Sequence, residues 1–294
     1  MIHSDCFQRA RPFIYRNARL LDRRRYEYFF EGGSKEAVIE ALRAYQNADG
    51  GFGNALEPDI RCPFSQPVPT EMALAIMDQI GLFDEQILEG INRYLRKITL
   101  EDGGIPLALR SLNDYPHAPW WTTENDDRPS INPTGTIIGL LYKQNALPDI
   151  VREPYFVKTV QYIWKYMEQE RPSGYHDGTH WIVFLQNTPD RERAEGQWAV
   201  IDEWLSRPGT IEKNPYAEGY VHKVLDWAPD RDSYARKFVS DEELDEHLQA
   251  LLVQQQEDGG WPISWPAVSP ACELEWRGYM TVERLRTLRS FGLL

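Results

Sequence analysis

Apolar residues recur along most of this chain at intervals of three and four, the period of a helix with one buried face. Residues 84 to 98 set the pattern: Ile87, Leu88, Ile91, Tyr94, Leu95 and Ile98 form a stripe behind Asp84, whose carboxylate suits an N-cap. Residues 240 to 256 repeat it, with Ser240 and Glu243 spaced as a capping box, Leu244, Leu248, Leu251 and Leu252 as the stripe, and Gly259-Gly260 as the stop. The same spacing predicts helices near 8–30, 34–46, 70–80, 134–145, 153–169, 176–188, 191–206, 216–227 and 275–291, about eleven in all. Strand-like alternation is scarce, and no Pro/Gly/Ser-rich linker divides the helices, so the expectation is one all-α domain over residues 1–294.

The connections carry an internal repeat. Gln46-Asn47-Ala48-Asp49-Gly50-Gly51-Phe52 recurs as Glu101-Asp102-Gly103-Gly104-Ile105 and as Gln256-Glu257-Asp258-Gly259-Gly260-Trp261. Each copy follows a helix end, where glycine supplies a left-handed turn and the next large side chain folds back on the helix. Val68-Pro69-Thr70-Glu71-Met72 likewise resembles Asn132-Pro133-Thr134-Gly135-Thr136, and Asn214-Pro215-Tyr216 repeats part of that helix start. Long connections (47–69, 99–133, 257–274) alternate with very short ones (31–33, 81–83, 189–190), which puts the long ones at one rim. Helical pairs closed into a ring, six inner and about five outer, account for this alternation, so the expected architecture is an (α/α)6 toroid.

Charge and cysteine usage narrow the partners. The 294 residues hold 32 Lys and Arg against 45 Asp and Glu, a net charge of −13, which repels a phosphate backbone and an anionic membrane. Nucleic acid is therefore not expected as a partner. Cys6, Cys62 and Cys272 are far apart and form no CxxC pair, which fits a reducing compartment. No stretch approaches the roughly 18 apolar residues of a membrane span, and the N-terminus lacks a basic segment followed by an apolar run, so a soluble, cytoplasmic protein is expected.

A glutamine followed by Gly-x-Phe or Gly-x-Trp, as in Gln46 to Phe52 and Gln256 to Trp261, resembles the QW repeat of squalene-hopene cyclases and, more weakly, of protein prenyltransferase β subunits. The resemblance implies the toroid and a stabilising role for Gln46, Phe52, Gln256 and Trp261. Class II cyclases of that superfamily protonate an alkene with an Asp-x-Asp-Asp motif, whose acid stays protonated in an apolar site. The nearest string is Glu124-Asn125-Asp126-Asp127, altered at its first position, with Trp120 and Trp121 upstream as π faces for a cation. The Asp-Asp-x-x-Asp/Glu run of class I enzymes is missing, because Asp126-Asp127 continues into Arg128, Pro129 and Ser130. Asp59 and Cys62 do not match a prenyltransferase zinc pattern, and neither a metal nor a cofactor is expected.

The catalytic candidates are Asp126, Asp127 and Glu275, the last near a helix start and able to pair with Arg277. The candidates for substrate contact are Trp120, Trp121, Tyr175, His176, Trp181, Tyr216, Trp265 and Trp276. His176 and His180 are four apart, hence on one helical face; as a pair they read either as ligands or as one buried and one surface histidine, with His222 as a third if 216–227 is an inner helix. Glu57 to Arg61 has charge enough to line a rim or to pin its loop. Three functions fit: a terpenoid cyclase-like enzyme with an aromatic pocket and an acidic proton donor, a carbohydrate-active (α/α)6 hydrolase or lyase using two carboxylates, and a non-catalytic toroid that binds a ligand or protein. The expected partner is a small molecule, isoprenoid or carbohydrate.

Overall fold

The computed structural model describes residues 2–294, and of residues 5–294 the side chains as well. It is mostly helical, with twelve α-helices and one two-stranded sheet among the described residues. The helices are α1 (Ile2–Asn17), α2 (Leu20–Phe30), α3 (Lys35–Arg43), α4 (Pro67–Ile80), α5 (Glu85–Ile98), α6 (Ile131–Lys143), α7 (Pro154–Gln169), α8 (Tyr175–Asn187), α9 (Arg191–Leu205), α10 (Val224–Trp227), α11 (Asp241–Val253) and α12 (Pro270–Ser290). The sheet pairs Ile105–Pro106 with Pro129–Ser130, antiparallel. No described helix is long and apolar enough to cross a membrane.

Two helices differ from their sequence prediction. The segment 8–30 is two helices, α1 and α2, broken at Ala18 and Arg19, where Arg19 turns to extended backbone. The segment 216–227 is helical only over Val224–Trp227, so Tyr216 and His222 lie in a connection instead of on an inner helix. The cause is local: Pro215 and left-handed Gly219 interrupt the run, and Asp226 caps the backbone N–H of Lys223, which starts the helix there.

The chain groups into two compact units, one of residues 1–41 with 203–294 and one of residues 42–202. In the second unit α6 packs on α4, α7 and α8, and its residues from Pro133 to Leu141 are all buried. Gly135 and Gly139 let α6 approach α8 backbone to backbone. A Cβ at Gly135 would stand 2.6 Å from the His180 carbonyl oxygen, and one at Gly139 2.7 Å from that of Val183. The long loops of this unit are ordered by pairing with each other: Arg61 N–H donates to Pro116 O and Ala118 N–H to Asp59 O, over a small core of Ile60, Cys62, Val68, Ala108 and Leu112. Buried Glu57 and Asp59 thus belong to a pinned loop.

In the first unit α12 packs on α1 and α2. Fully buried Arg25 of α2 donates to Asp22 at 3.2 Å and to Glu283 of α12, and its guanidinium lies 4.6 Å over the Tyr279 ring. Burying a charge is costly without such partners, so this network ties α2 to α12. Cys6, Cys62 and Cys272 are buried free thiols.

The Asp-Gly-Gly repeat has the same geometry three times. The aspartate of each copy accepts from the second glycine's N–H: Asp49 from Gly51, Asp102 from Gly104, Asp258 from Gly260, at 3.0 to 3.1 Å. The next residue donates its N–H to a threonine hydroxyl on a following helix: Phe52 to Thr70, Ile105 to Thr134, Trp261 to Thr281. The first glycine is left-handed and touches backbone, so that an added Cβ would meet the carbonyl oxygen of Gly90 at 2.0 Å, of Lys158 at 2.3 Å and of Arg9 at 2.0 Å. The glutamine of the third copy is Gln255, one residue before the match expected from sequence. Gln46 Nε2 donates to Gly50 O and Ile87 O, and Gln255 Nε2 donates to Gly259 O and Cys6 O, while Gln256 is exposed.

Candidate functional site

The site builds from the starts of α4, α6 and α8. α4 is apolar over most of its length, and Pro67 and Pro69 in its first turn cost no helix hydrogen bond. Glu71 follows one turn later, with only 18% of its side chain exposed. On α6, Thr136 lies one residue beyond Gly135, whose missing Cβ allows the close approach to α8. On α8, His180 is buried, and its Nδ1 lies 2.6 Å from Thr136 Oγ1 and 3.7 Å from Glu71 Oε1. Three helices therefore bring a carboxyl, a hydroxyl and an imidazole into one contact.

Burial sets the protonation of this trio. It pushes the Glu71 carboxyl up to about 8, against a hydrogen bond from Thr136 that favours the anion. Burial also pushes the His180 imidazole down to about 3, with His176 adding a smaller effect of the same sign. At neutral pH both groups are thus uncharged: a carboxylic acid with a proton to give and an imidazole with a lone pair to share. The Thr136 hydroxyl bonds the His180 ring, and the Glu71 carboxyl lies beside the same ring nitrogen, so the three groups form one polar cluster in the interior.

The candidates named from sequence fall elsewhere or in other roles. Asp126 and Asp127 are exposed on the 123–128 segment, and Asp126 Oδ1 accepts from the Arg110 N–H at 2.6 Å. Their surroundings are solvent, whereas an acid held protonated requires burial. Trp120 is 46% exposed, and Trp121 packs on the loop core around Cys62. Trp181 is wholly buried with its ring edge-on to Tyr166, a core residue. Tyr175 and His176 open α8 with their rings 5.4 Å apart; His176 is exposed and His180 buried, the second of the two readings of the pair. Among the described residues no three His, Cys, Asp or Glu side chains gather as metal ligands.

The remaining candidates belong to the unit of residues 1–41 and 203–294. Glu275 lies in the second turn of α12, half-buried, and Arg277 is engaged by Asp258 at 2.7 Å. The same arginine reaches Trp261 O and lies over the Phe13 ring, so it locks the third Asp-Gly-Gly turn. Trp265 and Trp276 meet edge to face at 5.2 Å, and Tyr216 is 66% exposed in a turn. This unit also has an open cleft of about 830 Å³ lined by Phe7, Tyr28, Phe29, Phe30, Arg289 and Leu293 among others, none of them a candidate from sequence.

Glu71 was present in the sequence reading only as a letter in the Val68 to Met72 repeat. Its signal was nonetheless there: α4 carries just two charged residues, and Asp78 near its end pairs with Lys143, which leaves Glu71 as an acid inside an apolar run. No family model, no curated protein and no solved structure matches this chain.

Proposed function

We propose that this chain is a proton-transferring enzyme of the terpenoid cyclase kind, with Glu71 in place of Asp126 or Asp127 as the acid. The observation that carries the reading is a carboxyl group buried beside an uncharged imidazole and raised to about 8, the state a proton donor to a neutral substrate needs at working pH. Glu71 would give its O–H proton to one carbon of an alkene, whose π pair forms the new C–H bond. The neighbouring carbon becomes a cation and Glu71 a carboxylate, and loss of a proton from the rearranged cation completes an isomerisation. A sugar hydrolase asks for a second carboxylate, whereas here the partners are a hydroxyl and an imidazole.

The same reading includes the (α/α)6 toroid. Its support is the order in which the Asp-Gly-Gly turns dock: the turn after α3 on α5, the turn after α5 on α7, and the turn after α11 on α1. Each turn lands on the second helix onward, and the last lands on the first helix of the chain, the order of a closed ring. Three buried free thiols suit a reducing compartment such as the cytoplasm.

Incubation with linear polyprenes, isoprenoid diphosphates and oligosaccharides in deuterated water, followed by mass spectrometry, tests the reading. A cyclised polyprene carrying one deuterium is expected, with a loss of at least ~100-fold in Glu71→Gln and full turnover in Asp127→Asn. An active Glu71→Gln protein would remove Glu71 from this role.

A further inference from the structure

A buried acid that gives up its proton once per turnover must recover it, and in Glu71 only 18% of the side chain meets solvent. We infer that His176, His180 and Thr136 form a proton conduit from solvent to Glu71, with His176 as its outer end. The inference rests on the reading of Glu71 as the acid. The two histidines are four residues apart on α8 and so share a face, the first exposed and the second buried. From His180 the path is short: its Nδ1 lies 2.6 Å from Thr136 Oγ1 and 3.7 Å from the Glu71 carboxyl. The Gly135 and Gly139 contacts hold α6 and α8 at the separation this bond requires.

The transfer balances without any other reactant. A proton from water is taken up by His176 and passed to Nε2 of His180. The Nδ1–H of His180 leaves for the Thr136 oxygen, and the Thr136 hydroxyl proton moves to the Glu71 carboxylate. His180 ends in the Nε2–H tautomer, and a flip of its ring brings the N–H back toward Thr136 before the next turnover. It acts as a relay whose resting form is neutral, in keeping with its burial. Partial burial holds the His176 imidazole below its ordinary value, against Asp177 next to it on the same helix, which favours the protonated form of that outer histidine.

Nuclear magnetic resonance of protein labelled with ¹⁵N-histidine tests this without a substrate. In His176→Asn the exchange of the His180 ring N–H with solvent is expected to slow by at least ~10-fold, while the amide exchange of α8 stays as in the wild type. In Thr136→Val, the His180 ring shifts should no longer follow the titration of Glu71. Equal ring exchange in wild type and His176→Asn, with α8 intact, overturns the conduit. An infrared titration of the Glu71 carboxyl in wild type and His176→Asn separates this failure from failure of the acid itself: a midpoint near 8 in both leaves Glu71 as the acid whatever the exchange rates, and one near 4.5 removes the acid and the conduit with it.

Discussion

His180 Nδ1 stands 3.7 Å from Glu71 Oε1 and 2.6 Å from Thr136 Oγ1. Neither the imidazole nor the carboxyl is charged at neutral pH, because burial acts in opposite directions on an acid and on a base. The pair is thus held neutral by its surroundings instead of forming the ion pair that the same residues would make at a surface.

This neutrality fixes the shape of the pH–stability curve. Between 4.5 and about 8 the folded protein keeps a proton on Glu71 that the unfolded chain has released, so the Glu71 contribution is full below 4.5 and is lost as pH rises through 8. His180 behaves oppositely: between about 3 and 6.5 the unfolded chain takes up a proton that the folded imidazole refuses, so its contribution is full above 6.5 and is lost as pH falls through 3. The two offset each other from 4.5 to 6.5. Relative to Glu71→Gln, the wild type should lose up to about 1.4 kcal/mol per pH unit above 4.5, and relative to His180→Gln it should gain as much between 3 and 6.5. Urea unfolding of the three proteins across this range measures it; a wild-type to Glu71→Gln difference that stays flat contradicts the buried acid.

The first glycines of the Asp-Gly-Gly turns should tolerate no side chain. Gly50→Ala, Gly103→Ala and Gly259→Ala each put a Cβ within 2.3 Å of a carbonyl oxygen at a left-handed φ of 94 to 97°. Each is expected to cost about 2 kcal/mol or more. Gly196 in α9 has open space around it, and Gly196→Ala should stabilise by about 0.5–1 kcal/mol. Thermal unfolding of the four variants distinguishes the two classes.

Three consecutive glutamines, Gln254, Gln255 and Gln256, follow α11, and only the middle one donates to Cys6 O and Gly259 O. Gln255→Ala leaves two buried carbonyls without this donor and should cost about 1–3 kcal/mol, while Gln256→Ala should be within about 0.5 kcal/mol of wild type. Similar losses from both variants would contradict the structural equivalence of Gln255 with Gln46.

Most helices were legible because their caps and stripes agree. Asp84 accepts from the Ile87 N–H at 2.9 Å, and Ser240 and Glu243 make the reciprocal capping box their spacing implies. Residues 216–227 misled because an apolar run survives the turn signals of Pro215 and Gly219 that break it. The third glutamine was misplaced because adjacent identical residues leave the register open. Glu71 drew no attention for another reason: a motif sought among clustered carboxylates points to Asp126 and Asp127, whereas the protonation of an acid depends on burial, which a single letter in an apolar helix does not announce.

The most direct test is the titration of Glu71 itself, by infrared difference spectra between wild type and Glu71→Gln in the protonated-carboxyl stretching region. A carboxyl signal that persists through neutral pH and disappears with a midpoint near 8 is expected. A midpoint near the ordinary value of 4.5 would show a carboxylate at working pH, and Glu71 could then not be the proton donor.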